Sequence, residues 1–232
     1  MSITRLALRI CAVEALKGQT GVKDNVFDSL LGVLASNQLG QLETPQEQPF
    51  IAVFTETALN KDASDNALRS NDNLDLVFEF AVTSRMSETN SDGESQMMGI
   101  PVTDGVMEAF LDILETDITR VLNDPENEWA ECWRKLKGRI VEVEHRRVGN
   151  ETFGVSLAAH QLRIRLNALL DPVLGDEIAS SSAWAEFCRL LNKHNHAYAP
   201  VISELLKPNG SNNGNQRRYG LTFEQTRSLM VD

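Results

Sequence analysis

Five groups of side chains have types and spacings that would suit chemistry. Gly154-Val155-Ser156-Leu157-Ala158 stops one residue short of the GxSxG nucleophile elbow. That motif needs a sharp strand-to-helix turn, whereas Ser156 sits in an alternating strand pattern and Ala158 replaces the last glycine. His194-Asn195-His196 offers two imidazoles, but no Cys, Asp or Glu lies at a spacing that would complete a metal tetrahedron. It reads as a loop at the end of a short helix. Glu108, Asp112 and Glu115 fall at i, i+4, i+7, as a solvent-facing helix row also does. His145 and His160 fall on facing hairpin strands with no carboxylate pattern attached, and read as interface or core residues. Cys11, Cys132 and Cys188 are odd in number and far apart, so reduced thiols are expected. No GxxxxGK, GxGxxG, HExxH or zinc-knuckle spacing is present. The chain is therefore read without catalytic, cofactor-binding or metal residues, and a cytosolic enzyme is the lesser alternative.

The elements that carry these residues follow from periodicity. Ser2 or Thr4 caps a first helix with Ile3, Leu6, Ile10, Val13 and Leu16 on one stripe, stopping at Gly18. A short extended piece, Val26-Phe27-Asp28-Ser29, follows. Pro49 introduces the apolar strand Phe50–Phe54. Leu74, Leu76, Phe78, Phe80 and Val82 alternate with more polar residues, which predicts a strand with one buried face. The polar stretch 84–100 is expected to be a mobile loop.

A helix over about Asp104–Leu122 would bury Val106, Phe110, Ile113, Leu114, Ile118 and Val121, with Glu108, Asp112 and Glu115 opposite. A second helix, with Asp124 as cap and Pro125 in its first turn, buries Trp129, Trp133 and Leu136. Then Arg139–Arg147 and Phe153–Ala168 alternate as two strands joined near Val148-Gly149-Asn150-Glu151. His160, Leu162, Ile164 and Leu166 share one face of the second strand, and Gln161, Arg163, Arg165 and Asn167 the other. A straight strand of this length would span roughly 53 Å, against a diameter of about 40 Å for a domain of about 170 residues. The hairpin must bend or protrude, and a protruding hairpin satisfies its backbone by pairing with a neighbour.

The expected fold is α+β: a mostly antiparallel sheet of four to five strands packed against helices, with a helical C-terminal extension and a flexible tail. Residues 1–170 form the core, and 171–207 a helical extension in which Ser182 caps one short helix and Pro200 starts another. Residues 208–232 are a low-complexity linker and an arm in which Tyr219, Leu221 and Phe223 alternate. An arm of that kind docks back or adds a strand to something else.

The net charge is −11. An acidic total excludes a protein that coats DNA or anionic membrane over its whole surface. No stretch approaches the ~20 apolar residues of a membrane span. With no signal peptide expected, the sequons at Asn150 and Asn209 read as accidental. The charge is uneven. Residues 84–131 hold 12 acids and 2 bases, whereas residues 132–170 hold 8 bases and 3 acids. Adjacent blocks of opposite sign are more often solvated surface, and they also suit a ring in which one subunit's acidic face meets the next one's basic face.

The order of segments resembles the tail terminator (lambda minor tail protein U-like) family of tailed bacteriophages. A leading helix ends in Ala15-Leu16-Lys17-Gly18. Val26-Phe27-Asp28-Ser29, Pro49-Phe50-Ile51-Ala52-Val53-Phe54-Thr55, the Leu74–Val82 strand, a long helix and a hairpin with Glu144-His145-Arg146 follow. The resemblance covers roughly residues 3–170, with residues 84–136 longer than the usual element. It implies an α+β virion protein, made in the host cytoplasm and located in the tail-neck region, that forms a ring, by family expectation a hexamer. Such a ring caps the tail tube, ends its polymerisation and offers the head-tail joining surface. The implied partners are further copies, the tail tube protein, a head-tail connector or neck protein and a sheath or collar protein. DNA passes through the channel without specific binding, and no membrane is involved. The alternative is a neck adaptor or stopper ring between portal and tail. Arg146, Arg147, Arg163 and Arg165, with Glu108, Asp112 and Glu115, are the expected subunit contacts. Reversing Arg163 and Arg165 to Glu is expected to disrupt the ring.

Overall fold

In the computed structural model, α1 (Ile3–Leu16) starts where Ser2 Oγ accepts the Arg5 N–H at 3.3 Å. It buries a face wider than the predicted stripe, because Ala7, Leu8, Cys11, Ala12 and Ala15 join Ile10, Val13 and Leu16. The helix ends into Gly18, whose φ of +67° is a conformation that favours glycine. The structure describes residues 2–30, 35–36, 42–43, 46, 48–58, 69–83, 88–89, 93, 95–97, 100–101, 103–152 and 155–208.

Strands β1 (Val26–Asp28), β2 (Ala35–Ser36), β3 (Leu42–Glu43), β4 (Phe50–Ala58) and β5 (Asn71–Thr83) follow. β2 and β3 pair with each other. Within 84–100, expected to be a mobile loop, the described residues include β6 (Glu88–Thr89), β7 (Ser95–Met97) and β8 (Ile100–Pro101), an antiparallel ladder. Paired backbone replaces the expected loop there.

Thr103 caps α2 (Asp104–Asn123) by accepting the Val106 N–H. Its buried residues are Met107, Leu111, Leu114, Ile118, Val121 and Leu122, while Ile113 is 47% exposed. The apolar face is thus rotated from the predicted one. Met107 and Leu111 turn inward where Val106 and Ile113 were expected, since either row satisfies the same helical period. α3 (Glu128–Leu136) begins later than predicted. Asn127 caps it by accepting from both Trp129 and Ala130 N–H. Asp124 instead ends α2 and accepts from Glu126 N–H, leaving Pro125 in the turn. The Arg134 guanidinium donates to the carbonyls of Leu122 and Asp124, groups that a helix end leaves without intrahelical partners. Trp129 and Trp133 are buried, as their spacing predicted.

β9 (Lys137–Thr152) and β10 (Val155–Ala168) form the long hairpin. The connection predicted at 148–151 is instead ladder, with Gly149 facing Ala158 and Thr152 facing Val155. Near the other end the register shifts on either side of Leu166, and there the hairpin departs from a straight ribbon. At Gly138 a Cβ would lie 2.8 Å from the Asn167 carbonyl oxygen, so the close approach of the two strands requires glycine.

The main sheet has the order β1-β4-β5-β10-β9. β1 runs parallel to β4 and the other neighbours are antiparallel. The fold class is the expected one: α+β, with a mixed, mostly antiparallel five-stranded sheet. α1 and α2 pack on one sheet face, over Leu74, Leu76, Phe78 and Phe80 of β5 and Leu162, Ile164 and Leu166 of β10. Full burial of a large apolar side chain contributes about 1.5–3 kcal/mol, so this central layer anchors the fold.

Met1–Leu170 form one compact unit and Asp171–Asp232 a second. In the second, Ser182 caps α4 (Ala183–Lys193), which packs with α5 (Ala199–Leu205). Trp184, Phe187, Leu190, Leu191 and Ile202 are buried, with Trp184 and Phe187 edge-to-face. His194 and His196 lie just past the end of α4. The tail and arm at 209–232 lie outside the described residues.

Candidate functional site

β10 alternates Arg163 and Arg165 with apolar residues, and β5 and β9 flank it on either side. The alternation places both guanidiniums on the sheet face away from α1 and α2. The register sets Arg165 between Asp75 of β5 and Glu142 of β9, and Arg163 between Val77 and Glu144. Arg165 binds Asp75 at 2.9 Å and Glu142 at 2.5 Å. Arg163 pairs with Glu56 of β4 and lies 3.7 Å from Glu144. Arg146 binds Glu144 at 2.7 Å along its own strand. Gln161 donates to Glu79 at 2.8 Å. The result is a charged ladder across four strands.

The ladder sets two carboxyls on the same strand apart. Burial pushes the Asp75 carboxyl up, but hydrogen bonds from Arg165 and Thr57, with the charges of Arg165 and Arg163, bring it below the ordinary aspartate range. Glu79 goes the other way. Its burial dominates, the Gln161 bond offsets only part of it, and nearby Glu56 adds repulsion, so its carboxyl is raised.

On the helix side a second cluster forms where α2 crosses the hairpin. Arg147 binds Glu108 at 2.7 Å, and His160 Nε2 lies 3.2 Å from the same carboxylate. His145 Nδ1 lies 2.5 Å from Glu115. His160 Nδ1 is 3.8 Å from Glu115 and 4.0 Å from Asp112. His160 packs edge-to-face on Phe80 at 5.8 Å. The Arg147 hydrogen bond, opposed by burial and assisted by His160, holds Glu108 below the usual glutamate range.

Every residue expected at a subunit contact therefore also has a partner within the chain. Glu108, Asp112 and Glu115 face the hairpin, so the acidic block on α2 and the basic block on β9–β10 meet within one chain. Arg163 and Arg165 are bound to β4, β5 and β9. Reversing both would set glutamates against Asp75 and Glu56, so loss of a ring in that variant would not separate an interface from a damaged sheet. Sequence reasoning missed Glu56, Asp75, Glu79 and Glu142 as counter-groups, because the spacing of residues does not disclose which strands are neighbours.

The remaining feature is β9 itself. Among the described residues it pairs with β10 and with no strand on its other side. Arg139–Val143 and His145–Arg147 are exposed, and Glu144 is half-buried. Ile140 and Val143 stand on the helix-side face opposite Leu166 and Ile164, and are 39% and 46% exposed beside those buried neighbours. A long edge with one strand neighbour among the described residues and apolar residues at its rim is a template for another strand. Compared with known proteins, the chain matches no family model and no curated protein.

Proposed function

We propose that this chain is a structural virion protein that assembles into a ring, caps the phage tail tube, ends its polymerisation and presents the head-tail joining surface. The observation that carries the assembly half of this reading is the β9 edge, sixteen residues long and paired on one side only among the described residues. An edge of this length is a template on which a strand of another chain can pair. The phage half rests on the order of helix, short strand, Pro-led strand, long strand, long helix and hairpin, which resembles tail terminators over roughly residues 3–170.

Termination requires no bond making. A ring whose one face matches the tube and whose other face does not stops further subunits from adding. Heterologous contacts that close at a fixed number give such a ring. An acidic net charge suits a channel through which DNA slides without adhering.

Electron microscopy of the purified chain mixed with headless tails and, separately, with filled heads tests the reading. Rings at the tail tip support it. Rings held only on filled heads would assign the chain to the neck as an adaptor or stopper. A chain that remains monomeric on both would end both readings.

A further inference from the structure

The β9 edge has a definite shape for a partner strand. Ile140 and Val143 end two apolar rows that cross the helix-side face, Leu74–Leu166–Ile140 and Leu76–Ile164–Val143. The inner two members of each row are buried and the last is half open. On the opposite face the same edge shows Glu142, Glu144 and Arg146. A fitting strand is apolar at every second residue and polar between.

The chain carries such a segment beyond its described residues. Tyr219, Leu221 and Phe223 alternate with Gly220, Thr222 and Glu224. We propose that residues 219–225 of a neighbouring copy add to the outer edge of β9 as a sixth strand. Tyr219, Leu221 and Phe223 then cover Ile140 and Val143, and Glu224 falls on the face that holds Arg146. This proposal rests on the ring reading, which supplies the neighbouring copy.

Two physical arguments favour this occupant. Fully extended, residues 208–218 span about 36 Å, and a domain of about 170 residues is about 40 Å across. The linker is thus comparable in length to the width of one such domain, as an arm given to a neighbouring copy requires. Second, β9 pairing with β9 of another copy would form a two-fold contact that consumes both edges and stops at a dimer. An arm that gives to one neighbour while its own β9 receives from another is heterologous, and it closes into a ring. Main-chain hydrogen bonds supply affinity in such strand addition, and the alternate side chains supply register.

Full-length chains test this by cysteine pairing in a Cys188→Ser background, since Cys11 and Cys132 are buried. One tagged chain carries Ile140→Cys or Val143→Cys. A differently tagged chain carries Tyr219→Cys, Leu221→Cys or Phe223→Cys. Mild oxidation of the mixture is expected to give a mixed-tag dimer on a non-reducing gel for at least one pair, several-fold above either chain alone. Deleting 209–232 is expected to abolish the assembly while leaving the circular dichroism spectrum of the core unchanged. A link forming only inside one chain that carries both cysteines would overturn the proposal by placing the arm on its own subunit. A link between two Val143→Cys chains would overturn it in favour of β9 self-pairing. Rings without any mixed-tag link would refute the arm and leave the ring reading standing, whereas a full chain monomeric at every concentration would refute both.

Discussion

β5 and β9 flank β10 on opposite sides, and both alternate in sequence, yet they have opposite fates. β5 is buried on both faces over most of its length. β9 is exposed on both faces between Arg139 and Arg147, apart from Glu144. Alternation decides which residues share a face, while position in the sheet decides whether anything covers that face. β5 can hold Asp75 in its interior because Arg165 crosses to it, and the same guanidinium reaches out to Glu142 on β9. The central strand is thus internally satisfied, and the edge strand pairs on one side only among the described residues.

The contrast breaks most readily in the apolar layer. Phe78→Ala on β5 is expected to cost about 3–5 kcal/mol, read from the urea midpoint. Val143→Ala on β9, measured at a dilution where the chain is monomeric, is expected to stay within about 0.5 kcal/mol. Equal losses would mean that β9 is as covered as β5.

A smaller effect is expected in the charged ladder. Asp75→Asn is expected to cost about 1.5–3 kcal/mol at pH 7. The sign in pH follows from the depressed carboxyl. Its contribution is present above the unfolded aspartate value, near 3.9, and is lost as pH falls through the lower folded value. The gap between parent and variant should therefore close in acid, as pH-dependent denaturation would report.

Glu79→Gln has the opposite sign. Because its folded carboxyl is raised, the parent is favoured below the unfolded glutamate value and loses stability as pH rises through the folded one. The variant is expected to gain up to about 1 kcal/mol at pH 7 and to lack that decline.

The smallest effect belongs to the exposed rim. Arg147→Ala is expected to leave the melting temperature unchanged, since exposed ion pairs contribute little. The Glu108 carboxyl should rise toward its ordinary value in an NMR titration. A large loss of stability would make the α2–hairpin cluster structural.

Much of this was legible from the chain. The β10 faces, the Ser2 and Ser182 caps and the buried tryptophans follow from period and capping chemistry alone. The α2 face was misplaced because Val106, Met107, Phe110, Leu111, Ile113 and Leu114 offer two apolar rows, and only the packed partner selects between them. Asn127 displaced Asp124 as cap because its side chain serves two amides at once. The partners of Glu108, Asp112 and Glu115 were not legible. Their spacing is that of a solvent row, and only the crossing of α2 over the hairpin brings Arg147, His145 and His160 to them.

The central claim is that the β9 edge is an assembly surface, and solution mass tests it most directly. Light scattering of the full chain over a concentration series, beside Val143→Lys, is expected to show a closed oligomer of fixed size for the parent. The variant should be a monomer with the parent's circular dichroism spectrum. A parent that is monomeric throughout, or a variant that assembles as the parent does, would contradict it.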